Sequence, residues 1–204
     1  LVLTERFSPS GGEPPPLAQA ADDGALMAEV ARGDAAAFGR VVERHTPMVH
    51  GLAWRMLGDG AEAEDVVQEA FTRLWVGAAR WTPVAGGLGG WLRRVTTNLC
   101  LDRLRRVRPA GGDAIPDRAD EAPLADALLD AKRQRQAVAR AIASLADRQR
   151  AAVVLTYHEG VSNAEAAEIL GVGVKAFESL LVRARQALSR ALAAEGLLGE
   201  DRRR

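Results

Sequence analysis

A face made of Lys175, Ala176, Ser179, Arg183 and Gln186 has the chemistry to read the edges of base pairs. Arg, Lys, Ser and Gln side chains donate to and accept from base edges in the major groove. At about 100° per residue, Val174, Phe177, Leu181, Ala184, Leu188 and Leu192 fall together on the opposite face of the same helix. That helix follows Ser162-Asn163-Ala164-Glu165, which has the pattern of a capping box. A short helix from Ala164 to Leu170, a turn at Gly171 and a longer helix from Val174 make the helix-turn-helix pattern. The competing reading is an amphipathic bundle helix with a solvated polar face.

Two further stretches carry concentrated charge. Residues 61–69 hold Glu62, Glu64, Asp65 and Glu69, and Gln68 shares the exposed side with Asp65 and Glu69. Acids at a helix start oppose the positive end of the helix dipole, which accounts for the first three. A polar docking face for a protein accounts for the fourth and for Gln68. The helix from Trp91 carries Arg93, Arg94, Arg103, Arg105, Arg106 and Arg108 against Asp102 alone. Arg80 and Trp81 lie on the other side of a glycine-rich loop, Thr82 to Gly90. Cations and aromatic rings beside a pliable loop suit backbone phosphates and unstacked bases. Core tryptophans beside a solubilising basic face are the alternative, and for Trp91, next to Leu92 and Val95, the core is favoured.

The elements that must position these residues are helical. Ala, Leu, Arg and Glu dominate, and aromatic content is 4%, which favours helices over sheet. The expected architecture is all-α, in two units. Residues 1–22 are Pro- and Gly-rich without periodicity and read as a disordered tail. Residues 23–107 form a first helical unit, with helices ending near Gly33 and Gly58. A break is expected near Thr46, because Pro47 has no N–H to give. Residues 108–123, with three prolines and a glycine pair, read as a flexible linker. Residues 124–195 form the second unit, and 196–204 a charged tail.

Formal net charge is zero, whereas a protein that binds DNA alone is usually basic. The charges are segregated along the chain, so the balance implies weak DNA binding by the free protein and binding mainly within a larger assembly. The lone cysteine, Cys100, excludes an internal disulfide and a Cys-rich zinc site. His45, His50 and His158 lack metal-ligand spacing. No phosphate-binding loop or nucleophile elbow is present. No catalytic residue, metal or cofactor is therefore expected. No apolar run approaches the length of a membrane span, and no secretory signal is visible, so a cytoplasmic location is expected.

Three segments together resemble the extracytoplasmic-function, or group 4, sigma factors of the sigma-70 family. Ala63 to Trp75 (AEDVVQEAFTRLW) is similar to region 2.2. Trp91 to Arg106 (WLRRVTTNLCLDRLRR) is similar to region 2.4, and Ala143 to Arg150 with Gly160 to Arg185 to region 4. The resemblance covers residues 25–107 and 124–194. It implies a transcription initiation factor and not an enzyme. Its partners would be core RNA polymerase (the clamp helices of the largest subunit and the flap region), promoter DNA and an anti-sigma factor. Asp65, Gln68, Glu69 and Leu74 would dock on the clamp helices. Arg80, Trp81, Arg93, Arg94, Asn98, Arg103 and Arg106, with the loop, would bind and open the −10 element. Lys175, Ala176, Ser179 and Arg183 would read the −35 element. The 16-residue linker could span on the order of 50 Å when extended. That exceeds a turn of B-DNA, about 35 Å.

One stretch departs from the family pattern. Thr-Val-Lys-Ser-Arg is common in the recognition helix, and Ala176-Phe177-Glu178-Ser179-Leu180 stands here. Two basic positions become Glu178 and Leu180, which implies an unusual −35 preference. It also gives weight to two alternatives: a sigma mimic that sequesters an anti-sigma factor, and a stand-alone helix-turn-helix regulator.

Overall fold

The computed structural model describes residues 17–83, 86–107, 126–195 and 197. The expected tail over 1–16, the linker over 108–123 and most of the charged C-terminal tail lie outside these residues. Among those described, the structure is entirely helical: α1 (Leu17–Val30), α2 (Ala35–Leu57), α3 (Gly60–Gly77), a 3-10 turn (Ala78–Arg80), α4 (Gly87–Val107), α5 (Asp126–Ala143), α6 (Asp147–Tyr157), α7 (Asn163–Ile169) and α8 (Val174–Ala194).

The first unit packs α1, α3 and α4 around α2. Helix α1 starts at Leu17, so residues 17–22, expected in the tail, are helical. Its far end is anchored to α2 by charge as well as by Leu26, Met27 and Val30. Arg44 reaches Asp22 at 2.5 Å and Asp23 at 2.7 Å, and Arg40 reaches Glu29 at 2.7 Å. The expected break at Thr46 does not occur, and α2 runs through Pro47. Pro47 is exposed, so the carbonyl it leaves without an N–H faces the solvent side. Val41, Val49, Leu52, Ala53 and Met56 meanwhile keep one continuous buried stripe on the other side. Asp59 starts α3 by accepting from the backbone N–H groups of Ala61 and Glu62. The expected glycine-rich loop is shorter than the sequence implied. Gly87 to Gly90 are already helical, because Leu88 and Leu92 are both buried and draw the first turn of α4 onto the core.

In the second unit, α7 and α8 form the expected helix-turn-helix, packed on α6 with α5 behind. Gly171 makes the turn with φ +64°, a left-handed conformation that glycine adopts without steric cost. Phe177, Leu181, Ala184, Leu188 and Leu192 are buried, as their spacing required, whereas Val174 at the helix start is 44% exposed.

The two units touch. Helix α2 meets α5 and α6, and α4 meets α6 and α7. Arg150 of α6 is buried and donates from Nη1 to the Met56 carbonyl in the last turn of α2 at 2.6 Å, and from Nη2 to the Ala143 carbonyl. A guanidinium at a helix C-terminus satisfies a carbonyl that has no helical partner and opposes the negative end of the dipole.

Candidate nucleic-acid interface

Helix α3 turns its apolar side to the core through Ala63, Val66, Ala70, Phe71 and Leu74. Asp65 and Gln68 on the opposite side are exposed, and Glu69 is half-exposed. Leu74, expected to dock on the clamp helices, is 1% exposed and sits in the core, sharing the helix face of Val66, Ala70 and Phe71. Trp75 is 39% exposed and stacks obliquely on Phe38, ring centroids 4.9 Å apart.

The basic helix α4 runs beside α3, and the two are laced together. Arg103 bonds Glu62 at 3.0 Å and lies 3.4 Å from Glu69, which also pairs with Arg73 at 2.7 Å. Arg103, expected to hold DNA, and Glu69, expected to hold protein, therefore belong to one network. Arg94, Asn98 and Arg106 are exposed on α4, whereas Thr96 and Thr97 are fully buried with no hydroxyl partner. Arg80 is exposed at the end of the 3-10 turn. Trp81 packs against the core, and its buried Nε1 has no partner. Trp91 also packs on the core, as favoured from its neighbours.

Arg93 is mostly buried, and its Nε donates to Glu159 of the second unit at 3.0 Å. Arg94 lies 4.0 Å from Glu168, again in the second unit. Sequence reasoning missed Glu159 and Glu168, and it placed Glu165 in a reciprocal capping box. Only half of that box forms: Ser162 Oγ accepts from the Glu165 N–H at 3.2 Å. The Glu165 carboxylate instead lies over Gly86, where a Cβ would stand 2.6 Å from Oε1. Gly86 also has φ +77°, a left-handed conformation that favours glycine.

On α8, Lys175, Ala176, Ser179 and Arg183 are all exposed on one face, with Glu178 beside them. Lys175 and Arg183 enter no ion pair among the described residues. The Ser179 hydroxyl donates to the Lys175 carbonyl at 2.9 Å, which leaves its lone pairs outward. Leu180 is half-buried, so its apolar side chain serves packing as well as surface. Across the unit, Arg185 bonds the Tyr157 hydroxyl at 2.5 Å and ties α8 to α6.

Two histidines are held neutral by their surroundings. Burial lowers His45 below its ordinary 6.5 and outweighs the Asp23 carboxylate 3.0 Å from its Nε2; Arg44 and Arg93 push the same way. Burial and Arg55 lower His158, whose ring is the more exposed. The Cys100 thiol is pushed up to about 12 by burial. No helix among the described residues is long and apolar enough to cross a membrane.

The comparisons with known proteins follow this division. Sigma-70 region 2 matches residues 41–109, and Sigma-70 region 4 matches residues 135–188. The chain is 36% identical over 165 residues to the ECF RNA polymerase sigma factor SigE of Mycolicibacterium smegmatis, which covers 78% of this chain. It spans 63% of that relative, less than two thirds of its length. It is 37% identical over 175 residues to the ECF RNA polymerase sigma factor SigM of Mycobacterium tuberculosis strain H37Rv, covering 83% of this chain and 84% of SigM. Among solved structures it is similar to that of CnrH in complex with the cytosolic domain of CnrY. That match has 32% identity and a TM-score of 0.63 over 85% of this chain and 98% of CnrH.

Proposed function

The chain belongs to the extracytoplasmic-function sigma factors of the sigma-70 family, and from that premise we propose how its surfaces divide the work of starting transcription. It is a promoter-directing sigma factor and not an enzyme. It binds core RNA polymerase in the cytoplasm. Asp65, Gln68 and Glu69 on α3 dock on the clamp helices of the largest subunit, and the second unit meets the flap region. Arg80, Arg94, Asn98 and Arg106, with Trp81, Arg93, Arg103 and the Gly86 loop, take the −10 element and hold its unpaired strand. The cations bind phosphate, and the loop lets backbone approach bases. Lys175, Ala176, Ser179 and Arg183 read the −35 element as duplex. Glu178, exposed on the same face, accepts from cytosine and shifts the −35 preference away from the common family element. An anti-sigma factor covers the docking face of α3 when transcription is off.

The observation that carries this reading is the placement of two surfaces of different chemistry on separate units. A basic helix laced to an acidic docking helix lies in one, and an open recognition helix in the other. Transcription in vitro with purified core polymerase and a promoter library tests it. Initiation at a defined set of sites is expected. Association with core polymerase without promoter selection would favour the sigma mimic instead.

A further inference from the structure

We infer that Val182 is a base-reading residue, its side chain taking the C5 methyl group of a thymine that lies within two base steps of a cytosine held by Glu178. The inference deepens the −35 reading assigned to α8 and rests on it. Val182 is 49% exposed, and Val174, two turns earlier, is 44% exposed. The core of the second unit uses neither: α8 buries Phe177, Leu181, Ala184, Leu188 and Leu192 instead. Valine does not serve the helix itself either, since a β-branched side chain loses rotamer freedom there. At about 100° per residue, Val182 falls within about 60° of Lys175, Glu178 and Ser179 in projection. It therefore stands on the reading face.

That face carries two parallel stripes, each at i, i+4 spacing. Lys175, Ser179 and Arg183 make one, with a cation at either end and a hydroxyl between. Val174, Glu178 and Val182 make the other, an acid between two apolar side chains, all three exposed. The first stripe can hold phosphates as well as bases. The second offers a phosphate oxygen no donor, and Glu178 repels it. In a major groove the second stripe therefore fits base edges alone. A carboxylate accepts from the N4 amino group of cytosine, and an apolar side chain packs on the C5 methyl of thymine. Val182 lies about 6 Å beyond Glu178 along the helix. Bases on one strand are about 3.4 Å apart. One turn of α8 thus carries the contact from the cytosine to a base one or two steps away. The departure at Glu178 changes which base is chosen, and Val182 changes which neighbour goes with it.

The test uses holoenzyme reconstituted from the full chain and core polymerase, with a −35 duplex that it selects from a random pool. Each thymine of that duplex is replaced singly by deoxyuridine, which keeps every hydrogen-bonding group and lacks only the C5 methyl. At one thymine, within two base steps of a cytosine, the replacement is expected to weaken binding about fourfold, the effect of losing one buried methyl group. In Val182→Ala that loss should vanish, with the effects at other thymines unchanged. Val182→Thr, which keeps the branch and one methyl, should retain most of it. Glu178→Ala should relax the choice of cytosine and leave the thymine effect in place. A selected element with no methyl-dependent thymine, or a dependence that survives Val182→Ala, overturns the inference and leaves the assigned function standing. Weaker association of Val182→Ala with core polymerase, at unchanged base preference, overturns it too, since the side chain then docks on protein. A holoenzyme that selects no upstream element overturns the assigned function and the inference with it.

Discussion

In the first unit Arg73, Arg93 and Arg103 lie in ion pairs, two of them with partners outside their own helix, whereas in the second Lys175 and Arg183 are exposed and enter no ion pair among the described residues. The difference matches the tasks proposed for them. A preformed duplex presents fixed phosphates and base edges, so a rigid helix with open donors can engage it at once. A strand that must first be separated gives no fixed target. Its cations can rest in internal pairs and exchange partners when the strand arrives. The pairs of Arg103 with Glu62 and Glu69 hold α4 against α3 and connect the proposed nucleic-acid surface to the proposed protein-docking surface.

The largest effect tests whether the units are independent in stability. Phe177 is fully buried in the second unit. Phe177→Ala should cost about 3–5 kcal/mol. Denaturant unfolding followed by circular dichroism should then show two transitions, with the helices of the first unit surviving the first. A single transition at lower denaturant would mean that the contact through Arg150 and Glu159 makes one cooperative body.

The next effect sharpens the contrast in charge. Arg183→Ala should weaken binding of the reconstituted holoenzyme to a −35 duplex by about 1–3 kcal/mol and flatten its salt dependence by about one unit of slope. Arg103→Ala should leave −35 affinity unchanged while lowering promoter opening read by permanganate footprinting. If both variants lose the same step, the division of labour between the units is wrong.

Smaller changes compare the helix starts. Ser162→Ala, at the cap of α7, and Asp59→Ala, at the cap of α3, should each lower stability by about 1 kcal/mol. Asp59 should cost at least as much, since it satisfies two backbone N–H groups against one for Ser162. A negligible loss at either position would show that tertiary packing alone sets that helix start.

A pH titration gives a weaker effect with a definite sign. His45 titrates below 6.5 when folded, so below that value the unfolded chain takes up more protons than the folded one. Stability should be full above pH 6.5 and decline as pH falls through it. His45→Asn should flatten most of that slope and the more exposed His158 the remainder, as followed by melting temperature. A slope unchanged in His45→Asn would assign the effect to other groups. Smallest of all, Cys100 should resist a maleimide in the native state and react once the first unit opens, which makes its labelling rate a gauge of that unit alone.

Much of this organisation was legible in the sequence. The apolar spacing of α8, the glycine turn and the basic run of α4 are local patterns, set within a few turns of helix by backbone geometry. Local signals also misled where they were read too literally. Pro47 broke nothing, because the buried stripe on the far side continued through it.

By itself the sequence determined the all-α class, the two units, the helix-turn-helix pattern and the family. Only the tertiary structure decided that Arg93 meets Glu159, that Glu165 leaves its capping role for Gly86, and that Arg150 closes the end of α2. Helix type and facing are fixed by neighbours in the chain, whose spacing is periodic. Pairs such as Arg93 and Glu159, 66 residues apart, depend on how whole helices pack, and no periodicity records that.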